Sequence, residues 1–171
     1  MAYALTQLAA DIRETLKATP GRAGKEAVRA FVSKALGDPA FIAAHVQERA
    51  AGANPREVLY EDPELGFCIC GHVYNGTANG SPHDHGPSWA IYGQATGVTE
   101  MTDWRIVKQG AGAEPALVEP AETYLMHPGD AHLYDVGDVH SPRREAPVKL
   151  IRIEGQNLDR VKRSNIRAVK P

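Results

Sequence analysis

From Val58 onward the sequence breaks into short apolar runs separated by turn-forming residues about every eight to twelve positions, a rhythm that builds a β-sandwich or barrel. Gly66, Asn75-Gly76, Asn79-Gly80, Gly110 to Gly112, Pro128-Gly129-Asp130 and Gly137-Asp138 supply the punctuation. Between them, residues 67–74, 89–94, 98–107, 123–126, 131–136 and 148–154 read as strands. Residues 1–50 have another texture. Leu5, Leu8, Ile12 and Leu16 recur at helical spacing until Thr19-Pro20-Gly21 stops them. Val28, Phe31, Val32 and Leu36 mark a second helix, with Gly37 as its C-terminal stop. Asp38-Pro39 then caps a short third helix carrying Phe41, Ile42 and Val46. The division expected is a helical cap over residues 1–50 and a barrel over residues 51–171, forming one structural unit.

The 171 residues suffice for one sizeable core. A formal net charge of −2 gives no strong pull toward nucleic acid or an anionic membrane, and no apolar run is long enough to span a bilayer. The basic stretch from Arg160 to Lys170 reads as a solvated or docking tail. No basic-then-apolar leader opens the chain, so a reducing, cytoplasmic setting is expected. Cys68 and Cys70 flank one residue. A bridge between them would close a strained small ring, so both are expected as free thiols lining core or pocket.

Chemistry concentrates at Pro82-His83-Asp84-His85-Gly86. Side chains two apart share a face only on an extended strand; a helix would splay them by about 200°. His83 and His85 therefore read as strand neighbours able to hold one metal ion, for which imidazole suits iron, zinc, copper or nickel. Two later segments of the same shape, Gly129-Asp130-Ala131-His132 and Gly137-Asp138-Val139-His140, each offer a third imidazole.

A His-x-His segment followed by Gly97, then Pro128-Gly129-Asp130 and a further histidine, resembles the cupin pattern. That resemblance implies an all-β double-stranded β-helix, a jelly-roll barrel with an N-terminal helical region and a metal inside. Most cupins add a glutamate soon after the second histidine; here that stretch holds Ser88, Trp89 and Ala90. Three histidines without a carboxylate resemble the thiol dioxygenases, namely cysteine dioxygenase and its mercaptopropionate-oxidising relatives. The likeness runs from Arg56 to Leu158, and residues 58–67 look like their approach strand and turn. It implies His83, His85 and His140 as ligands, with His132 and Tyr134 as walls of the substrate pocket. It also implies one divalent metal, Fe(II) first, with Ni, Zn, Mn or Co as other occupants. Arg56 lies near the arginine with which the family holds a substrate carboxylate; a surface role at a loop start is its other reading.

The chain departs from that family on its last barrel strand. The Ser-x-His-x-Tyr run of the thiol dioxygenases is matched here by Leu150-Ile151-Arg152-Ile153-Glu154. Inward-facing, Arg152 and Glu154 would put a cation and a carboxylate in place of the acid–base relay; outward-facing, they would be solvated while Ile151 and Ile153 filled the core. With Ala90 at the cysteine position and no tyrosine, the thioether crosslink of cysteine dioxygenase has no partners. Cys68, Cys70, His72 and Tyr74 share one face of their strand, and His72 and Tyr74 are candidate acid–base groups or a hydrogen-bonded wall.

Three imidazoles on a six-coordinate ion leave about three open positions, enough for a substrate and dioxygen side by side. Neutral ligands keep the full charge of the ion, which favours an anionic substrate. The expectation is a metal-dependent oxygenase of the thiol dioxygenase type acting on a small anion other than cysteine, as a monomer or homodimer without nucleic-acid or membrane partners. A non-catalytic metal cupin that binds a small ligand, and a metal-dependent isomerase or lyase, are the alternatives.

Overall fold

The computed structural model describes residues 3–50 and 52–169; Met1, Ala2, Ala51, Lys170 and Pro171, including the last cation of the basic tail, lie outside them. Three helices come first: α1 (Leu5–Ala18), α2 (Arg22–Leu36) and α3 (Pro39–His45). Leu8, Ile12, Val28 and Val32 are fully buried, as their spacing predicts. The Asp38 carboxylate caps α3 by accepting from the backbone N–H groups of Ala40 and Phe41. Gly37 does close α2, but with φ −76° it stays right-handed, so the stop comes from the turn into the Asp38 cap and not from a left-handed glycine.

Ten strands follow: β1 (Arg56–Glu61), β2 (Cys68–Tyr74), β3 (Ala78–Asn79), β4 (Ala90–Thr96), β5 (Thr99–Lys108), β6 (Ala116–Met126), β7 (Ala131–Tyr134), β8 (Val139–Arg144), β9 (Val148–Glu154) and β10 (Ile166–Ala168). They form two five-stranded sheets, ordered β1-β2-β9-β4-β7 and β10-β6-β5-β8-β3. Tyr92 and Tyr134 from one sheet meet Met101 and Met126 from the other between them. The architecture is a double-stranded β-helix with a helical cap. Within the described residues, no helix is long and apolar enough to cross a membrane.

The central strands of the first sheet are buried on both faces, and this decides what their residues do. Register aligns Ile69, Ile153 and Ile91 across β2, β9 and β4, with Gly71, Ile151 and Gly93 in the next row. These rows face the helices: a Cβ on Gly93 would press into Val32 and Leu36 of α2. The alternate rows, Cys70-Arg152-Tyr92 and Cys68-Glu154-Ala90, face the barrel interior. Arg152 and Glu154 therefore point inward, and the solvated arrangement is overturned. Ile151 and Ile153 do fill a core, but it lies under the helical cap.

Two segments differ from expectation. β6 runs back to Ala116, well before residue 123, because β5 pairs with it along nearly its whole length. The described part of the tail docks on the barrel: β10 adds in parallel to β6, and Val169 N–H donates to Val118 O at 2.8 Å.

Candidate metal centre

Two stretches far apart in sequence supply three imidazoles. His140 sits on β8, and His83 pairs with it across a single antiparallel bridge, each N–H donating to the other's carbonyl at 3.0 Å. Paired residues in such a bridge put their side chains on the same face. The His83–His85 segment is not a regular strand, as its spacing suggested. One bridge is its whole ladder, and the chain turns at Gly86-Pro87. The alternation nevertheless holds: ring centroids lie 4.6 Å apart for His83–His140, 4.7 Å for His85–His140 and 5.8 Å for His83–His85. One nitrogen from each ring falls within 4.8 Å of the others.

The tautomers are arranged for metal binding. His83 Nδ1–H donates to Ser81 O at 2.9 Å, and His140 Nδ1–H points to Asp138 O at 3.3 Å. A carbonyl can only accept, so those nitrogens hold the protons and the Nε2 lone pairs are left free. His85 and His140 are fully buried and His83 is half-buried. Burial lowers all three pKa values. Arg152 and the neighbouring imidazole of His83 add to it for His85, which falls to about 3. For His140 the other two rings add to burial and take it well below the usual histidine range. For His83, burial with Arg163 and Arg152 outweighs the Ser81 bond. The trio is thus neutral at pH 7, the form a metal requires. His85 Nδ1 is buried without a partner, an orphaned polar atom. The donor set, the fixed tautomers and the convergence fit a divalent metal, held by His83, His85 and His140.

Tyr92, which sequence reasoning missed, completes the cluster: its hydroxyl lies 3.0 Å from His85 Nε2 and 3.3 Å from His140 Nε2. A signal existed, since Tyr92 shares strand parity with Ala90, already matched to a pocket position. Asp84 turns away from the histidines. Its Oδ1 accepts from Gly86 N–H and from Ser164 N–H of the tail, both at 3.0 Å.

Beside His83 opens a cavity of about 180 Å³, walled by Tyr74, Tyr92, Arg144, Arg152 and Arg163, with no carboxylate among its lining residues. Arg152 lies 3.9 Å over the Tyr92 ring and Arg144 lies 3.9 Å over the Tyr74 ring. Of the expected catalytic group, Tyr74 and Arg152 reach this cavity. His72 stands behind Tyr74, its Nδ1 3.0 Å from the Tyr74 hydroxyl and its Nε2 3.9 Å from Glu154. Burial lowers His72 to about 3, helped by Arg152. Burial raises Glu154, but His72, Arg56 and Arg152 outweigh it and hold the carboxylate below its ordinary range.

The structure moves three residues away from their expected roles. Arg56 does not reach the cavity. Its Nη2 donates to Glu154 Oε2 at 2.6 Å and to Asn157 at 3.0 Å, and its Nη1 to Asp159 at 2.6 Å, so the protein's own carboxylates fill the fork. His132 stacks on Tyr124 at 5.1 Å and lines a different depression, beside Asp103 and Asp138. Tyr134 stacks against the His140 ring at 3.9 Å and donates or accepts at Tyr124 across 2.7 Å, buried behind the ligand and out of reach of the cavity. Cys68 and Cys70 are free and buried, and burial raises both thiols, Cys68 to about 11.

No family model matches the chain, and no curated protein matches it in sequence. Solved structures do resemble it. KdgF from a Halomonas species is 16% identical, with 67% of this chain and 94% of that one covered and a TM-score of 0.47. A conserved protein with a double-stranded β-helix domain from Klebsiella pneumoniae is 14% identical, covering 71% and 85%, with a TM-score of 0.47. A cupin superfamily protein from Desulfitobacterium hafniense is 11% identical, covering 65% and 84%, with a TM-score of 0.45.

Proposed function

We propose that this chain is a metal-dependent oxygenase of the thiol dioxygenase type that uses Fe(II) and acts on a small anion other than cysteine. The observation that carries the reading is the convergence of three neutral imidazoles, without a carboxylate, on the edge of a cavity whose charged walls are all arginines. Iron(II) held by His83, His85 and His140 would supply open coordination positions for substrate and dioxygen and a positive charge to attract an anion.

The surrounding residues divide the remaining work. Arg152, clamped on Tyr92, orients the anion from one wall. Tyr74 presents its phenol to the same space, oriented by its contact with neutral His72, whose Nδ1 lies 3.0 Å away. Glu154, 3.9 Å from His72 Nε2, favours the tautomer with its proton on Nε2, which leaves Nδ1 to accept from the phenol. Tyr92 keeps its hydroxyl at the two buried imidazoles and closes the floor of the cavity.

The test is oxygen uptake by Fe(II)-loaded protein over a panel of small thiols and carboxylates, in parallel with zinc- and nickel-loaded protein in and out of air. Uptake with iron and at least one anion supports the reading. Air-independent turnover with zinc or nickel shows an isomerase or lyase instead. Tight ligand retention without turnover shows a binding protein.

A further inference from the structure

Arg144 and Arg152 face one small cavity, and neither guanidinium donates a hydrogen bond to any described residue. The Nε of each is buried without a partner, and Arg152 is 9% exposed. Guanidinium groups carry five donors, and a buried donor left without a partner is destabilising. What holds them is aromatic: each plane sits 3.9 Å from a tyrosine centroid, Arg144 on Tyr74 and Arg152 on Tyr92. That stacking fixes the planes and leaves the N–H edges unspent toward the space between them.

The charge count around the cavity points to the ligand. The contact of Arg152 with a carboxylate is loose, 3.9 Å to Glu154 Oε1, and Glu154 already takes two hydrogen bonds from Arg56, at 3.2 and 2.6 Å. Arg56 in turn pairs with Asp159. Arg56, Arg152, Glu154 and Asp159 therefore sum to zero. Arg144 and Arg163 remain, and among the described residues neither has a carboxylate within 4.0 Å. Arg163 comes from the tail, placed by the bond from Ser164 N–H to Asp84. Two unbalanced positive charges face a space of about 180 Å³, room for on the order of six waters.

We infer that this cavity is built for a small dicarboxylate, with Arg144 and Arg152 as the residues that grip and select it. The inference deepens the proposed function by naming the substrate class of the same site. It moves the carboxylate anchor from β1 to β8 and β9, one strand from each sheet. A planar carboxylate matches the edge of a stacked guanidinium two N–H groups at a time. The second carboxylate answers the second excess charge, and a monoanion would leave it unpaired.

Titration calorimetry with malonate, succinate, propionate and inorganic phosphate, on EDTA-treated and on zinc-loaded protein, tests the inference. Malonate or succinate is expected to bind at least about tenfold tighter than propionate. Arg144→Gln and Arg152→Lys should each weaken that binding about tenfold or more, while Arg144→Lys keeps part of it. Arg144 is half-exposed, so its variants report even where an Arg152 variant unfolds. Equal affinity for succinate and propionate, tighter binding of phosphate than of either dicarboxylate, or an Arg144→Gln variant that binds as the parent does would each overturn it. Failure to take up zinc, with arginine-dependent dicarboxylate binding intact, would sink the metal-centred function and leave this inference standing. Zinc uptake without discrimination between one and two carboxylates would do the reverse.

Discussion

The Tyr92 hydroxyl stands 3.3 Å from Nε2 of His140, the nitrogen whose lone pair the Asp138 contact leaves available to a metal. In the metal-free protein that phenol donates to the imidazole, so metal entry must break the bond. A hydrogen bond of this kind is worth about 0.5–1.5 kcal/mol net. Tyr92→Phe is therefore expected to bind zinc up to about tenfold tighter, measured by chelator competition. Weaker binding would mean that the phenolic oxygen itself assists the metal.

Arg56 and Glu154 set the second prediction. The carboxylate is fully buried, and the Arg56 side chain is 12% exposed. Removing one member strands a buried charge, at a cost of about 3–5 kcal/mol. Arg56→Met should lower unfolding stability by that amount in urea. Arg56→Met with Glu154→Leu should recover part of it, since the stranded carboxylate is gone and only the loose 3.9 Å contact of Arg152 is lost with it. Equal loss in the single and double variants would show that the pair acts through packing and not through charge.

The helices and the metal spacing were legible in the sequence because both are local patterns. Leu8, Ile12, Val28 and Val32 follow a 3.6-residue period, and His83 and His85 a two-residue one. The inward turn of Arg152 and Glu154 was not legible, because alternation marks two faces without saying which meets helices; Val32 of α2 against Gly93 decides it. Arg144 carried a signal, since it shares strand parity with His140. Arg163 carried none: it reaches the cavity through the parallel return of β10, a contact set by pairing with Ala116–Val118 and by nothing near Arg163 itself. Arg56 lay where the family resemblance pointed, but the resemblance did not include Asp159 and Asn157, which occupy its fork.

His72 gives the molecule an acid sensitivity of known sign. Burial, with Arg152 beside it, lowers its folded pKa to about 3, against 6.5 for the free side chain. Between those values the unfolded chain binds a proton that the folded chain does not, so stability is full above pH 6.5 and falls as pH drops toward 3. Each such histidine contributes a slope of about 1.4 kcal/mol per pH unit in the middle of that window. His72→Gln should reduce the slope of unfolding free energy, followed in urea with EDTA from pH 6 to 4.5, by about one proton's worth. An unchanged slope would mean that His72 is charged in the fold, held by Glu154.

Asp84 links the histidine loop to the tail, and cutting that link should free the tail without touching a ligand. Its Oδ1 accepts from Gly86 N–H and Ser164 N–H, each at 3.0 Å. Gly86 has φ +59°, and a Cβ there would overlap the Lys162 carbonyl, so tail and loop are packed backbone to backbone. Lys162 and Arg163 are exposed and offer trypsin two sites. Asp84→Ala removes two acceptor contacts worth about 1 kcal/mol each, which raises the open fraction of the tail about fivefold or more. Cleavage after Lys162 and Arg163, timed by mass spectrometry, should quicken by that factor. Asp84→Asn, which keeps an acceptor oxygen, should stay near the parent. Equal cleavage rates in the alanine variant and the parent would show that pairing of Ile166–Ala168 with β6 alone retains the tail, and that Arg163 keeps its place over the cavity without Asp84.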